Sequence, residues 1–450
     1  MRRIAAILAL IALSAGPAGA GEPTRLTFDQ VVARARANPL ARAAHEQAQA
    51  AEAQADEARA ARWGKLQVTS FLAPSPRIKC DDPSCTSTSP KDVTINVAGV
   101  FGGVKVEVVQ PIYTFGKLSS ISAAAHQAAQ AAQLSEDVVA GNLVELSAKA
   151  YYGLELAREL VWMLEDGLDE ITKGQKQLAD KLAEGSADVT IQDKLRLQTL
   201  RAEVEARLTE AREAEATALA GLRALVGDDT IDIDEDPLEA VAFDLAASPD
   251  DYVARATSGR SDLRAARHGA RAAAAMADFQ RAQWWPDLVV VGGVNFAAAQ
   301  GVENAPSAFY NDPFNTLGAQ LGVALRWTID PASQRARVRK ANADSRRANA
   351  LVEAANRGAT LEVRRAHARA LQARKRLEAT QKGEKAARGW VASVLQADAI
   401  GVISAKDMAD ALVAYFTLRG RVLQTTFDWN LATVSLRRAV GEFTAARARP

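Results

Sequence analysis

Two aspartates near the end of the chain have the spacing best suited to chemistry. Asp407 and Asp410 are three residues apart in a stretch with helical spacing, so both carboxylates fall on one helix face. Repeated around an axis by identical copies, such a pair would form a carboxylate ring that binds cations and gates a pore. Alternatively, two acids at a helix start face water and are stabilised by the helix dipole. The residues alone leave both interpretations open.

The other reactive side chains form no catalytic constellation. The only cysteines, Cys80 and Cys85, lie in a segment rich in Pro, Ser and Asp, which favours a small disulfide across a loop tip in an oxidising compartment. A metal pair is the alternative, but it needs further ligands and no histidine is nearby. The sequence has no phosphate-cradling glycine loop and no nucleophile elbow. We therefore expect no enzyme activity, catalytic residue, cofactor or metal. The histidines are expected to be surface or packing residues: His45, His126, His268 and His367.

The first residues predict export. Arg2 and Arg3 precede an apolar run over residues 4–13, and Ala18-Gly19-Ala20 forms a small-residue cleavage site. Residues 1–20 are therefore expected to be a signal peptide. The net charge is only +1 over 450 residues, so no global basic field indicates nucleic acid as a partner.

Two long proline-free stretches dominate the chain, from Lys117 to Gly227 and from Arg335 to Gly441. Each is rich in alanine, keeps helical apolar spacing and contains a glycine, Gly185 or Gly401, at which we expect the chain to turn back. The pattern predicts two very long helical hairpins packed side by side. Each is preceded by a helix and two strands in the same order, which indicates an internal duplication.

The predicted domain boundaries follow from this duplication. We expect a first repeat over residues 21–227, an acidic linker over 228–249, a second repeat over 250–441 and a flexible tail over 442–450. In each repeat a helix leads into two strands and then into the long hairpin. One helix is predicted before the strands of each repeat. In the first repeat it runs to Trp63, with a break at Asn38-Pro39-Leu40, and in the second repeat it runs from Asp251 to Trp284.

Four short stretches predict strands. Val104, Val106 and Val108 alternate with polar residues or glycine, which is the pattern of a strand with one apolar face. Residues 74–96 read as an exposed loop because they are rich in Pro, Ser, Asp and Thr. The fold class expected is mainly α, with four strands of about 8 to 13 residues per chain. The predicted strands cover residues 66–72, 97–110, 286–296 and 320–327.

Such strands are long enough to cross a bilayer as part of a tilted barrel, but four are too few to close one. A sheet in lipid cannot keep open edges, so several copies would have to share one barrel. Periodicity alone fits a soluble sheet equally well. The alternative function is therefore a soluble periplasmic coiled-coil adaptor or scaffold. A secreted helical pore-forming toxin is a third possibility.

Several segments, taken in order, resemble the TolC-like outer membrane efflux proteins over nearly the whole mature chain. They are Asn38-Pro39-Leu40 and its counterpart Arg260-Ser261-Asp262-Leu263, Gln110-Pro111-Ile112-Tyr113, and the turns at Gly185 and Gly401. The resemblance implies a homotrimer with a twelve-stranded β-barrel in outer membrane lipid and an α-helical barrel in the periplasm. It implies a passive exit duct of a tripartite efflux pump or type I secretion system. The implied partners are a periplasmic adaptor (membrane fusion) protein and an inner-membrane pump or ABC transporter.

The same resemblance implies roles for individual residues. Asp407 and Asp410 follow Gly401 at the spacing of the aspartates that ring the family's periplasmic aperture. Gly185 and Gly401 mark the hairpin tips at which an adaptor would dock. The closed-state latch is not carried over, because other residues occupy its positions: Ile191, Asp398 and Ile403.

The two long helices differ in charge. The stretch from Arg335 to Arg388 is very basic, and the stretch from Glu136 to Glu184 is mainly acidic. We hypothesise that this complementarity selects neighbouring helices in a cylinder. The alternative is two solvated faces with no such role.

Overall fold

The computed structural model describes residues 24–80, 93–184, 189–300, 314–398 and 405–443. The predicted sites Gly185, Gly401 and Cys85 lie outside these ranges. By internal contacts the chain divides into two compact units. The helix unit comprises residues 1–43, 137–260 and 358–450, and the sheet unit comprises residues 44–136 and 261–357.

The described elements repeat in length as well as in order. The two long helices have 67 and 68 residues, and each of the helices that follow them has 36. In chain order the elements are β1 (Thr24–Leu26), α1 (Phe28–Ala35), α2 (Pro39–Ala60), β2 (Lys65–Cys80), β3 (Val93–Tyr113), α3 (Lys117–Ala183), α4 (Ile191–Val226), β4 (Ile231–Ile233), α5 (Pro249–Gly259), α6 (Ser261–Ala282), β5 (Asp287–Ala299), β6 (Thr316–Arg326), α7 (Pro331–Asp398) and α8 (Ala405–Val440).

The helix break predicted at Asn38 is confirmed. The Asn38 side-chain oxygen accepts a hydrogen bond from the Leu40 amide (2.9 Å), and its amide group donates to the Leu225 carbonyl (2.8 Å). Pro39 then opens α2, a position at which a proline costs no helical hydrogen bond. One asparagine thus ends α1, starts α2 and ties both to the end of α4.

The single helix predicted from Asp251 to Trp284 is wrong. The chain forms α5 and α6, and Arg260 between them has an extended backbone (ψ 124°). The predicted linker also contains β4, which pairs in parallel with β1. Three-residue strands of this kind carry too little periodicity to be identified from sequence.

The predicted strands were too short, and the loop predicted over residues 74–96 is wrong at both ends. β2 continues to Cys80 and β3 begins at Val93, and the two pair along this whole length with a register shift at Ser75 and Pro76. The loop prediction for this segment treats its prolines as strand breakers. Here β2 is an edge strand of the described sheet, where a missing N–H group is tolerated.

The large sheet has four antiparallel strands in the order β2-β3-β5-β6. The strands therefore follow one another across the sheet as they do along the chain. At its helix end, Lys117 of α3 forms an ion pair with Asp287 of β5 at 2.8 Å. The strands have 11 to 21 residues, so each is long enough to cross a bilayer.

In each repeat the long helix packs antiparallel against the helix that follows it. Residues of α3 and α4 that are equally far from the first turn contact each other, as in Glu165–Arg212 at 2.7 Å. In the second hairpin Thr380 of α7 lies 2.8 Å from Thr425 of α8. Within the described ranges, no helix is both long and apolar enough to cross a membrane.

The core of the helix unit forms around α8. Leu154 of α3, Leu222 of α4 and Leu436 of α8 are fully buried. An extended segment after β4 lies against α8, where Asn430 accepts from the Val241 amide and donates to the Glu239 carbonyl, both at 2.8 Å. This buried asparagine satisfies backbone groups that no sheet or helix pairs.

A charged network also joins the long helices within the helix unit. Glu362 of α7 accepts from Arg260 (2.6 Å) and from Arg438 of α8 (2.8 Å). Arg438 lies 2.5 Å from Glu145 of α3, which accepts a further hydrogen bond from Ser435. Because the carboxylates are each shared by two donors, the network fixes the relative register of α3, α7 and α8.

Candidate functional site

One face of the four-stranded sheet is apolar from edge to edge. The register aligns Leu66, Val108, Gly292 and Leu321 across the four strands. Large side chains on this face are exposed, Leu321 by 83% and Leu72 by 79%. The face comprises Leu66, Val68, Leu72, Val104, Val106, Val108, Leu288, Val290, Val294, Phe296, Leu317, Leu321, Val323 and Leu325.

The opposite face of the same strands carries most of their charged and polar side chains, together with apolar ones such as Phe71, Phe101 and Val291. Lys105 and Glu107 on β3 form an ion pair at 2.8 Å, and Asn295 of β5 donates to Thr316 of β6 at 3.3 Å. Along β3 these polar side chains alternate with the apolar ones, as predicted, whereas β5 carries Val289 and Val291 on this face beside Asn295. The polar set is Gln67, Thr69, Lys105, Glu107, Asn295 and Gln320.

Exposed aromatic residues mark the helix end of every strand. Trp63 precedes β2, Tyr113 ends β3, Trp285 precedes β5 and Trp327 follows β6, and all four are more than half exposed. Phe115 stacks on Trp285 with ring centroids 5.7 Å apart. Aromatic side chains at one level beside an apolar band are typical of a membrane–water interface. The rim was not predicted from sequence, although the positions of the tryptophans relative to the strands indicate it.

The predicted aspartate pair lies in the first turns of α8. Asp407 and Asp410 are both exposed, while Ala409 and Ala411 between and after them are buried. The two carboxylates therefore share the outer face of the helix, as their spacing predicts. Gly401 and Gly185 lie outside the described residues, but α3 ends at Ala183 and α7 at Asp398.

The remaining predicted residues are scattered. Cys80 is the last residue of β2, and its predicted partner Cys85 lies outside the described ranges. The histidines make separate local contacts. Those contacts are His45 with Glu136 at 3.5 Å, His126 with Gln130 at 3.1 Å, His268 with Gln127 at 2.8 Å, and His367 against the ring of Tyr252.

One buried carboxylate in the helix unit was not anticipated. Glu155 of α3 is buried beside Tyr151, whose hydroxyl donates to it. Burial raises the pKa of Glu155 to about 7, and the Tyr151 hydrogen bond opposes that rise. Burial likewise raises the pKa of Tyr152 to about 12.

Comparison with known proteins extends this picture. The model of the outer membrane efflux protein family matches residues 253–442, a range that nearly coincides with the predicted second repeat. No curated protein sequence matches the chain.

Solved structures match nearly the whole chain. The outer membrane protein VceC from Vibrio cholerae has a TM-score of 0.75 at 18% identity, covering 92% of this chain and 96% of its own. The Campylobacter jejuni CmeC outer membrane channel has a TM-score of 0.76 at 14% identity, covering 93% and 86%. The Neisseria gonorrhoeae MtrE outer membrane channel has a TM-score of 0.74 at 18% identity and covers 94% of both chains. By sequence over residues 253–442 and by fold over more than nine-tenths of the chain, the predicted resemblance to the TolC-like outer membrane efflux proteins is confirmed.

Proposed function

We propose that this protein is the outer membrane exit duct of a tripartite efflux pump or type I secretion system. It is a passive conduit, and a partner drives the substrate through it. The observation that carries the proposal is a sheet with one continuous exposed apolar face, a more polar opposite face and an aromatic rim. In water such a face is unfavourable, because soluble monomers rarely expose large contiguous apolar patches.

Closure of this sheet requires more copies. β2 and β6 each pair on one side only among the described strands, and lipid cannot satisfy an open strand edge. β2 runs away from the helices and β6 runs towards them, so β6 of one copy can pair antiparallel with β2 of the next. Three copies give twelve strands, an even number that keeps every pairing antiparallel.

In the closed barrel the apolar face meets lipid and the polar face lines the bore. Gln67, Lys105, Glu107 and Gln320 would then line a hydrated lumen with both signs of charge. A mixed polar wall binds no single solute tightly, which suits a conduit whose selectivity lies with its partner.

Asp407 and Asp410 would contribute six carboxylates around the threefold axis at the periplasmic end. Both are exposed on the outer face of α8, so neighbouring copies can bring them together. A ring of this kind attracts cations and repels anions. The turns around Gly185 and Gly401 remain the proposed docking points for a periplasmic adaptor, which would couple the duct to an inner-membrane pump or ABC transporter.

The soluble adaptor alternative does not account for the sheet. An adaptor would keep the long hairpins but would have no use for an apolar face with an aromatic rim. Leu321 and Leu72 would contact water in that case, at a cost of about 25 cal/mol for each Å² of apolar surface.

Reconstitution of the purified mature protein in planar bilayers tests the proposal. We expect a trimer in detergent and ion-conducting pores that prefer cations. Asp407→Asn with Asp410→Asn should reduce the cation preference severalfold without preventing insertion, whereas Glu210→Gln on the surface of α4 should leave it unchanged. A monomer that produces no conductance would overturn the proposal.

A further inference from the structure

We propose that copies of this chain recognise one another through two charge-matched edges, the acidic outer face of α2 and the basic outer face of α7. The inference rests on the proposed function, because it takes the copies to share one barrel. It goes further by naming the residues that select the neighbour. The hypothesis from sequence paired the basic helix α7 with the acidic helix α3 of a neighbour. The connections within the sheet unit instead indicate α2 as the neighbour of α7.

The topology brings these two helices to opposite edges of the sheet unit. α2 leads directly into edge strand β2, and edge strand β6 leads directly into α7. Each connection has four residues, 61–64 and 327–330. When β6 of one copy pairs with β2 of the next, α7 and the neighbouring α2 must therefore run antiparallel side by side. This contact is head-to-tail, and a ring of copies closes it.

The outer face of α2 carries two acids, beside one exposed arginine, Arg42. Ala48 and Ala55 are the buried residues of α2 and define its inner side. At 100° per residue, Glu46 and Glu57 lie about 170° around the helix from that side. Both glutamates are exposed, and neither forms an ion pair within the described part of the chain.

The outer face of α7 is basic. Gln334 and Ala341 are buried, and the Gln334 side chain donates to the Gln280 carbonyl of α6, which defines the inner side. Arg335, Arg346 and Arg347 lie about 110° to 130° around the helix from that side. All three are exposed, and the described residues offer none of them an acidic partner.

The charges also lie at matching heights above the sheet. Glu57 is three residues from the strand-side end of α2, and Arg335 is four residues from the strand-side end of α7. Glu46 is fourteen residues from that end, and Arg346 and Arg347 are fifteen and sixteen from theirs. With a rise of about 1.5 Å per residue, each glutamate falls within about 3 Å of the height of an arginine. Arginine side chains easily span that difference.

A single copy gives these arginines no stabilising role. Of the three arginines only Arg335 lies near the N-terminus of α7, where positive charge is unfavourable and Asp330 caps the helix by accepting from the Ser333 amide. Between copies the same charges become complementary, and they disfavour pairing of like edges, α2 with α2 or α7 with α7. The arrangement therefore selects the one neighbour that continues the barrel.

Charge reversal of each edge, separately and together, tests the inference. The acidic-edge variant carries Glu46→Arg and Glu57→Arg, and the basic-edge variant carries Arg335→Glu, Arg346→Glu and Arg347→Glu. Matched controls are Glu52→Arg on α2 and Arg337→Glu on α7, which are exposed but lie only about 50° from the inner sides. Native mass spectrometry in detergent gives the trimer fraction, and circular dichroism verifies helix content.

We expect each single-edge variant to weaken the trimer at least about tenfold at low salt, and less in 0.5 M salt because screening reduces the repulsion. The variant with both edges reversed should trimerise like the wild type, and so should the controls. The inference is overturned if single-edge variants trimerise normally, or if reversing both edges fails to restore a trimer. A wild type that is itself monomeric would instead contradict the proposed function.

Discussion

The two return helices have the same length and opposite environments. α4 and α8 each have 36 residues, and each is the helix that follows a long helix in the chain. In α8 most positions after Leu423 are buried or half-buried, whereas α4 buries only Leu208, Ala211 and Leu222. Leu195 of α4 is 57% exposed. Equal elements of a duplicated chain thus became a core helix in one repeat and a surface helix in the other.

The difference follows from the neighbours of each helix. α8 contacts both long helices, through Ser435 with Glu145 of α3 and through Thr425 with Thr380 of α7. α4 contacts α3 through pairs such as Arg158 with Glu215 at 3.1 Å. A duplicated sequence therefore fixes the length of a helix, and its place among the other helices decides how much of it is buried. The exposed side of α4 is consistent with a surface that another molecule covers.

Truncation of leucine side chains should show the difference in burial between α8 and α4 most clearly. Leu436→Ala in α8 removes a fully buried side chain, so we expect a loss of about 3 kcal/mol in the free energy of unfolding. Leu195→Ala in α4 should cost less than about 1 kcal/mol, because most of that side chain already contacts solvent. Thermal unfolding in detergent, followed by circular dichroism, measures both. Equal losses would contradict the assignment of α8 as the core helix.

Much of this architecture can be predicted from sequence, because long helices are encoded locally. The first long stretch was predicted to start at Lys117 and to turn at Gly185, and α3 runs from Lys117 to Ala183. Gly227 caps α4 in the left-handed conformation (φ 77°) that glycine favours. The apolar side of each strand is also local information, since alternation alone assigns it.

The features that were missed depend on partners distant in sequence. The Ser- and Pro-rich ends of β2 and β3 are strands because they pair with each other, which composition does not reveal. In the sequence Asn430 is indistinguishable from an exposed helix residue. It is buried because its side chain forms two hydrogen bonds with the backbone of a segment about 190 residues away. The shared outer face of Asp407 and Asp410 was predictable from their spacing, but their distance from a neighbouring copy was not.

The core and surface carboxylates should respond differently to pH. Glu155 contacts the core cluster, and burial raises its pKa from 4.5 to about 7. Between these values the folded protein binds more protons than the unfolded chain, so stability should fall as pH rises from about 4.5 to 7. Glu155→Gln keeps an acceptor for Tyr151 and cannot ionise. It should flatten this decline and raise the unfolding free energy at pH 8 by an amount of the order of 2 kcal/mol.

The matched control is Glu210→Gln on the exposed surface of α4. It should leave the pH dependence of the melting temperature as it is in the wild type. If Glu155→Gln shows the same decline between pH 4.5 and 7 as the wild type, the buried carboxylate is not its source.

The smallest expected effect lies at the start of α4. Thr190 and Asp193 form a capping box, in which the Thr190 amide donates to Asp193 at 3.0 Å and the Asp193 amide donates to the Thr190 hydroxyl oxygen at 3.3 Å. Thr190→Ala should cost about 1 kcal/mol locally. Because α4 is a surface helix, that loss should appear as faster hydrogen exchange over residues 191–197 with an unchanged melting temperature.

Thr199→Ala, which removes only a hydroxyl bonded to the Leu195 carbonyl within α4, is the control and should leave exchange over these residues unchanged. If Thr190→Ala lowered the melting temperature as much as Leu436→Ala does, the start of α4 would unfold together with the core. The two return helices would then differ in exposure but not in local stability.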